Sequence, residues 1–291
     1  MSLIYAIFAQ SSQIRYDEGI KIKEASTRKH KNSKKKTELD PSLKNKKIDK
    51  SIEIFSVAIT GTQIKQVLNK IWLQRKEMLH VATVNPEFIM EAKTNQKFRE
   101  VLGKCLTVAD GHGVIWALRL AQGKLIDRIS GTELVEEILK HASINDEKVF
   151  LLGAADGIAQ KAATAMTRKY PMLNVAWFSG AQTVKVEKDE EASMTIAKIN
   201  GFEPDYLLVA YGSPWQDIWI EENRPYLRVR VAMGVGGALD EWAGVVKMCP
   251  DWIDKLGFKW AWRVVTEPWR IGRIMRVLHF GLLVLYHRAI D

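Results

Sequence analysis

The chain has 291 residues, 47% of them hydrophobic and 26% charged, enough to bury one substantial core. Its two cysteines, Cys105 and Cys249, form no CxxC pair, so a reducing compartment fits and a structural zinc site does not. The net charge of +9 lies at the ends: residues 1–50 carry 13 basic against 6 acidic groups and residues 251–291 carry 7 against 4, leaving the centre near neutral. A nucleic-acid-binding domain carries its own positive stripe, so that reading is excluded for the centre and survives only for the tail at 21–50.

The opening Met1–Ala9 is apolar but short and lacks a basic n-region, which makes it at most a weak signal-peptide candidate. Residues 21–50 are Lys-rich and poor in large apolar groups. They predict a disordered segment, either simply solvated or drawn to anionic lipid at about 1 kcal/mol per basic residue near the surface.

From residue 52 short apolar runs alternate with amphipathic stretches. The predicted strands are Ile52–Ile59, His80–Val84, Cys105–Ala109, Lys148–Leu152, Asn174–Phe178, Asp205–Ala210 and Arg230–Val235. Between them lie predicted helices such as Gln63–Lys76, Pro86–Leu102, Gly157–Lys169 and Asp189–Ile199. Continuous apolar strands separated by helices predict a mostly parallel sheet covered on both faces. Ligands in such folds gather at the carboxyl ends of the strands.

Five strand ends run into small or polar residues: Asn85 and Pro86; Asp110-Gly-His-Gly113; Gly153-Ala-Ala-Asp-Gly157; Tyr211-Gly-Ser-Pro-Trp-Gln-Asp217; and Gly234-Val-Gly-Gly-Ala-Leu-Asp240. Glycine there lets backbone amides approach a phosphate, although glycine is also the ordinary turn residue. Gly234-Val-Gly-Gly starts a dinucleotide fingerprint, but Leu239 stands where its third glycine belongs. No glycine-rich loop follows the first strand either, which disfavours an NAD-dependent oxidoreductase. Asp110 has two readings: a cap for the helix from His112 onward, or a base facing the crevice that takes a proton from an acceptor hydroxyl. His112 reads as a helix-start residue, and no HxH or HxxxH spacing supports a metal.

Four tryptophans (Trp252, Trp260, Trp262 and Trp269) fall close together before the C-terminal segment. Beyond Pro268 a helix is predicted with Ile271, Ile274, Leu278, Leu282 and Leu285 along one stripe and Arg270, Arg273 and Arg276 beside it. Trp269 and Tyr286 mark its ends. Such a helix suits the headgroup region of a membrane, or a docking face on the domain or another subunit. No run reaches the roughly 18 apolar residues of a membrane-spanning helix.

Taken together, these loops resemble the WecG/TagA/CpsF family of glycosyltransferases. The matching pieces are Thr83-Val-Asn-Pro-Glu87, Ala109-Asp-Gly-His-Gly113, Asp127-Arg-Ile-Ser-Gly-Thr132, Val149-Phe-Leu-Leu-Gly153, Tyr211-Gly-Ser-Pro-Trp-Gln-Asp217, Gly234-Val-Gly-Gly-Ala-Leu-Asp240, Trp260-Ala-Trp-Arg263 and Glu267-Pro-Trp-Arg270. They stand in order from about 52 to 280. The resemblance implies an α/β, Rossmann-like domain, placed at 51–245, followed by a C-terminal helical, membrane-associating appendage over 246–291; the basic extension 1–50 lies outside the resemblance.

The implied reaction is an inverting transfer, without cofactor or essential metal, from a UDP-sugar (an N-acetylhexosamine or its uronic acid) to an undecaprenyl-diphosphate-linked sugar. Cell-surface polysaccharide and teichoic-acid pathways both fit. Asp110 corresponds to the proposed base and Thr83 to the residue that positions substrate beside it, with Asn85 in the same loop. Arg128 matches an arginine suited to a diphosphate or sugar carboxylate. Gln216 and Asp240 match donor-pocket residues, alongside the loop glycines Gly153, Gly212, Gly236 and Gly237. Arg263, Arg270, Arg273 and Arg276 are expected to face the acceptor diphosphate or an anionic membrane surface. The implied place is the cytoplasm, peripheral at the inner face of a bacterial membrane, with a homo-oligomer left open.

This chain departs from the family in four places: Ala109 for the proline before Asp-Gly, Asp217 for glutamate, Leu239 for phenylalanine, and Lys259 for an acidic residue before Trp260. The alternative is a non-catalytic module that binds a nucleotide sugar or lipid carrier. It would keep the glycine loops but would not need Asp110.

Overall fold

The computed structural model describes residues 51–123, 126–181, 184, 187–267 and 271–290. The signal-peptide and linker expectations for 1–50 lie outside them, as do Trp269 and Arg270. The described chain enters through a small antiparallel hairpin, β1 (Ile52–Ile54) and β2 (Val57–Ile59). The expected single strand Ile52–Ile59 is therefore corrected to two. Phe55 and Ser56 turn the chain at positive φ, 45° and 65°, a conformation usually signalled by Gly or Asn. The reversal keeps Ile54, Val57 and Ile59 buried.

Helix α1 (Ile64–Leu73) leads into β3 (Leu79–Val84), followed by α2 (Pro86–Thr94), α3 (Gln96–Leu102) and β4 (Leu106–Ala109). Next come α4 (His112–Gln122), α5 (Gly131–Asn145), β5 (Lys148–Gly153), α6 (Ile158–Lys169), β6 (Asn174–Phe178) and α7 (Asp189–Phe202). The series closes with β7 (Tyr206–Ala210), α8 (Trp215–Asn223), β8 (Val231–Gly234) and the short α9 (Ala238–Trp242). The expected helix Pro86–Leu102 is two helices. Asn95 leaves helical geometry (φ −106°, ψ 95°), and its side-chain oxygen accepts the Phe98 amide to cap α3.

Strands β3 to β8 form one six-stranded sheet, ordered β4-β3-β8-β7-β5-β6 and parallel throughout. Alternate side chains enter opposite cores. On one face Val81, Leu151, Leu208 and Met233 pack with α1, α5 and α6. On the other, Ala82 and Val84 meet α2, α3 and α4, while Leu207 and Val209 meet α7 and α8. Helices on both faces leave the strands no solvated side, which is why their sequences are apolar at nearly every position.

The chain ends in three further helices, α10 (Asp251–Lys255), α11 (Lys259–Thr266) and α12 (Ile271–Ile290). Phe280 and Val284 of α12 are buried in the core that includes α2 and α4, each burial worth about 1.5–3 kcal/mol. Leu278, Leu282, Leu285 and Tyr286 stay exposed. The helix thus docks by one face and presents the described part of its predicted apolar stripe to the outside. No helix among the described residues is long and apolar enough to cross a membrane.

Candidate active site

A cleft of about 1170 Å³ opens at the carboxyl ends of the strands. Thr83 and Asn85 enter it after β3, Asp110 after β4, Gly212 and Gln216 after β7, and Gly236, Gly237 and Asp240 after β8. Arg128 joins from the loop before α5, and Asp254 and Arg263 come from the C-terminal helices.

Local hydrogen bonds set each wall. Asn85 caps α2 by accepting the Phe88 amide at 3.1 Å. The Asp110 amide donates to the Val84 carbonyl at 2.8 Å, which carries the β3–β4 pairing one residue past the strand and delivers Asp110 to the cleft. Gly111, at φ 84°, is the N-cap of α4, so the capping position expected for Asp110 belongs to its neighbour. Gly131, at the start of α5, sits against Thr83; a Cβ there would lie 3.2 Å from the threonine hydroxyl.

The Arg128 loop is pinned on both sides. The Asp127 amide donates to Thr62, the Asp127 carboxylate accepts the Ile64 amide, and the Ile129 amide donates to Ala109. Arg128 itself makes a two-pronged pair with Asp254, Nη1 to Oδ1 and Nη2 to Oδ2, both at 2.9 Å. Partial burial works against its charge, but Asp254, with Asp110 and Glu133 farther off, holds the guanidinium pKa above its ordinary value. A second pair runs the opposite way: Arg263 of α11 meets the buried Glu241 of α9. His112 adds a third tie, its Nε2–H donating to the Asp254 carbonyl at 3.0 Å.

On the far wall Gln216 is buried and its Oε1 accepts the Gly236 amide at 3.0 Å. Gly234 has no room for a side chain, since a Cβ would fall 2.7 Å from Gln216 Cδ. Gly153 does not line the cleft. It stands behind Tyr211, where a Cβ would come within 2.8 Å of the ring, and Tyr211 is the residue that lines the space.

Arg276 also lies outside the cleft lining, paired with Glu91 of α2 at 3.5 Å. Arg270 is outside the described residues, and so is the Arg273 side chain. Sequence reasoning missed Asp254, Glu241 and Tyr211 as parts of this site. Glu241 borders a motif already singled out and Tyr211 is the first residue of another, whereas nothing local marks Asp254.

Among the described residues, His80, Cys105 and Glu221 have possible metal-ligand atoms within 4.8 Å of one another. They meet where α8, which carries Glu221, packs on the sheet, and none of them lines the cleft. Both His80 ring nitrogens already face carboxylates, and Arg224 donates to Glu221.

A doubly covered parallel sheet with polar groups and glycine loops converging at its carboxyl edge defines a Rossmann-like α/β enzyme. The chain belongs to the WecG/TagA/CpsF family of glycosyl transferases, whose family model matches residues 52–290, and it is a glycosyltransferase. It is similar to the N-acetylglucosaminyldiphosphoundecaprenol N-acetyl-beta-D-mannosaminyltransferases of Staphylococcus aureus strains MRSA252 and NCTC 8325 / PS 47. Each is 34% identical to it over 231 residues, covering 78% of this chain and 89% of the relative.

Proposed function

We propose that this enzyme moves an N-acetylhexosamine, or its uronic acid, from a UDP-sugar to a polyprenyl-diphosphate-linked N-acetylglucosamine, with inversion at the anomeric carbon. The observation that carries the reading is the meeting of Asp110, Thr83, Asn85, Arg128 and the glycine-loop wall around Gln216 in one cleft. The names of the relatives support the acceptor, N-acetylglucosaminyl-diphosphoundecaprenol, and point to N-acetylmannosamine as the sugar.

In this mechanism Asp110 accepts the proton of the acceptor hydroxyl as its oxygen bonds to the anomeric carbon. The bond from that carbon to the UDP oxygen breaks on the opposite side, and UDP leaves with the electron pair. Arg128 turns from Asp254 to the diphosphate and stabilises the charge that grows there. Thr83 and Asn85 hold the acceptor beside Asp110, while Gly212, Gly236, Gly237 and Asp240 with Gln216 form the donor wall. The exposed Leu278, Leu282, Leu285 and Tyr286 lay the C-terminal helix on an anionic membrane surface, with Arg263 serving the acceptor diphosphate, so the enzyme works peripherally at the inner face of the membrane.

The test is UDP release by purified wild type and Asp110→Asn, given a panel of UDP-sugars and a polyprenyl-diphosphate-GlcNAc analogue. Acceptor-dependent release should fall about 100- to 10,000-fold in the variant while UDP binding persists. Equal release by both proteins removes Asp110 from the role of base.

A further inference from the structure

His80 lies near the start of β3 with no exposed side-chain surface. Its Nδ1 is 2.8 Å from Glu221 Oε1 and its Nε2 is 3.1 Å from Asp217 Oδ1. The two acids stand four residues apart on α8, on the side turned to the sheet. A neutral imidazole has one N–H and can satisfy only one of them; both bonds require the ring to be protonated. Arg224 also reaches Glu221, through Nε at 3.0 Å. The remaining group facing the ring is Cys105, whose thiol donates to the Val101 carbonyl and is pushed up in pKa by burial, so it stays neutral.

Burial alone would drive the His80 ring neutral, yet its hydrogen bonds to the Asp217 and Glu221 carboxylates hold its pKa well above that of a free histidine. Burial likewise opposes the Glu221 carboxylate, but His80 and Arg224 bring its pKa down to about 2. Asp217 is fully buried, and its second oxygen has no hydrogen-bond partner among the described residues. That carboxylate therefore leans on His80.

The chain consequence runs through the neighbouring residue. Asp217 follows Gln216, the side chain that takes the Gly236 amide and fills the space left by Gly234. We propose that His80, clamped as an imidazolium between Asp217 and Glu221, is a positioning residue for the donor wall: it fixes the seat of α8 and thereby holds Gln216 against the Gly234–Gly237 loop. This rests on the donor-site reading above.

The test uses the full chain as wild type, His80→Gln, and His80→Gln/Asp217→Asn, which also removes the orphaned charge. UDP affinity is measured by calorimetry, KM for the UDP-sugar and kcat by UDP release, and folding by circular dichroism. His80→Gln should weaken UDP about tenfold and raise the donor KM more than it lowers kcat, leaving the acceptor KM in place. The double variant should recover most of the loss; if the single variant does not fold, the double variant alone must bind UDP within about threefold of wild type.

The pH dependence has a definite sign. A group whose pKa is raised by folding stabilises fully below its unfolded value, about 6.5, and loses that contribution as pH rises through the folded value. Wild-type UDP affinity should therefore fall above neutral pH with a step absent from the double variant, the titration of UDP itself being common to both. A folded His80→Gln protein with wild-type UDP affinity and donor KM overturns the proposal. So does stoichiometric zinc in the wild type that is lost in Cys105→Ser, because the cluster would then be a metal site. Failure of the wild type to bind UDP at all overturns the donor reading first, and this proposal with it.

Discussion

Replacing Asp254 with asparagine separates what Arg128 does for the fold from what it does for the substrate. In the structure Arg128 spends both terminal nitrogens on Asp254, and the two side chains are only 24% and 22% exposed. At about 4 Å and an effective dielectric constant near 20, the gross attraction is about 4 kcal/mol. Desolvation and the bonds available to water reduce the net value to about 1–2 kcal/mol, in the range of charge-assisted hydrogen bonds. A diphosphate that recruits Arg128 must overcome that amount. Asparagine keeps one acceptor for Arg128 but removes the competing charge, so Asp254→Asn should tighten UDP binding by roughly 5- to 30-fold. The same change removes one of the ion pairs between the C-terminal helices and the sheet domain; among the described residues Arg263–Glu241 and Arg276–Glu91 remain. Thermal stability should fall by a similar free energy. The assay is titration calorimetry with UDP at physiological salt on wild type, Asp254→Asn, Arg128→Ala and the double variant, closed as a cycle. Asp254→Asn weakening UDP as much as Arg128→Ala would refute the competition, because Asp254 would then be orienting Arg128 for the phosphate.

Two more changes test the walls of the site. Gly234→Ala places a methyl 2.7–2.8 Å from Gln216 Cδ and Cγ, so Gln216 must move and the Gly236 amide loses its acceptor. UDP affinity should drop about tenfold, and stability by about 1–3 kcal/mol in a denaturant titration; an unchanged UDP affinity would detach Gln216 from the donor wall. Leu282→Gln with Leu285→Gln alters two side chains that are 67% and 58% exposed without adding charge. Folding stability should hold within about 0.5 kcal/mol, while sedimentation with phosphatidylglycerol vesicles weakens at least about tenfold. Equal vesicle binding would place the membrane contact elsewhere.

The parallel sheet was legible because its physics leaves a continuous trace. Leu207, Leu208 and Val209 point alternately into two cores and all are buried, so the run stays apolar whichever face a residue takes. The hairpin was not, because Phe55 and Ser56 adopt the turn without the residues that advertise it. The break at Asn95 hid behind an apolar pattern that continues from Phe88, Ile89 and Ala92 to Phe98, Val101 and Leu102. Local motifs likewise led to Asp110, Gln216 and the glycine loops, since each occupies a strand end where backbone must pass close to something. Asp254 escaped because its bond to Arg128 joins residues 126 positions apart, and no local spacing encodes such a contact.

The buried charges lie between these cases, and they show where a sequence says more than its motifs. Asp217 and Glu221 fall four residues apart in a helix that also buries Ile218, Trp219 and Ile220. Two carboxylates on the sheet side of such a helix are unaffordable without a cation within reach. Arg224, one turn on, serves Glu221, but in the structure Asp217 meets a group from another element. The strands beneath offer very few charged side chains, and His80 is the second residue of one of them. A buried strand that carries a histidine and a buried helix that carries paired acids are each an anomaly alone; together they specify a contact 137 residues apart in the chain. Unexplained charge on a face that must be buried is thus a tertiary constraint written in one dimension, and here it leads to the residue seating the helix behind the donor wall.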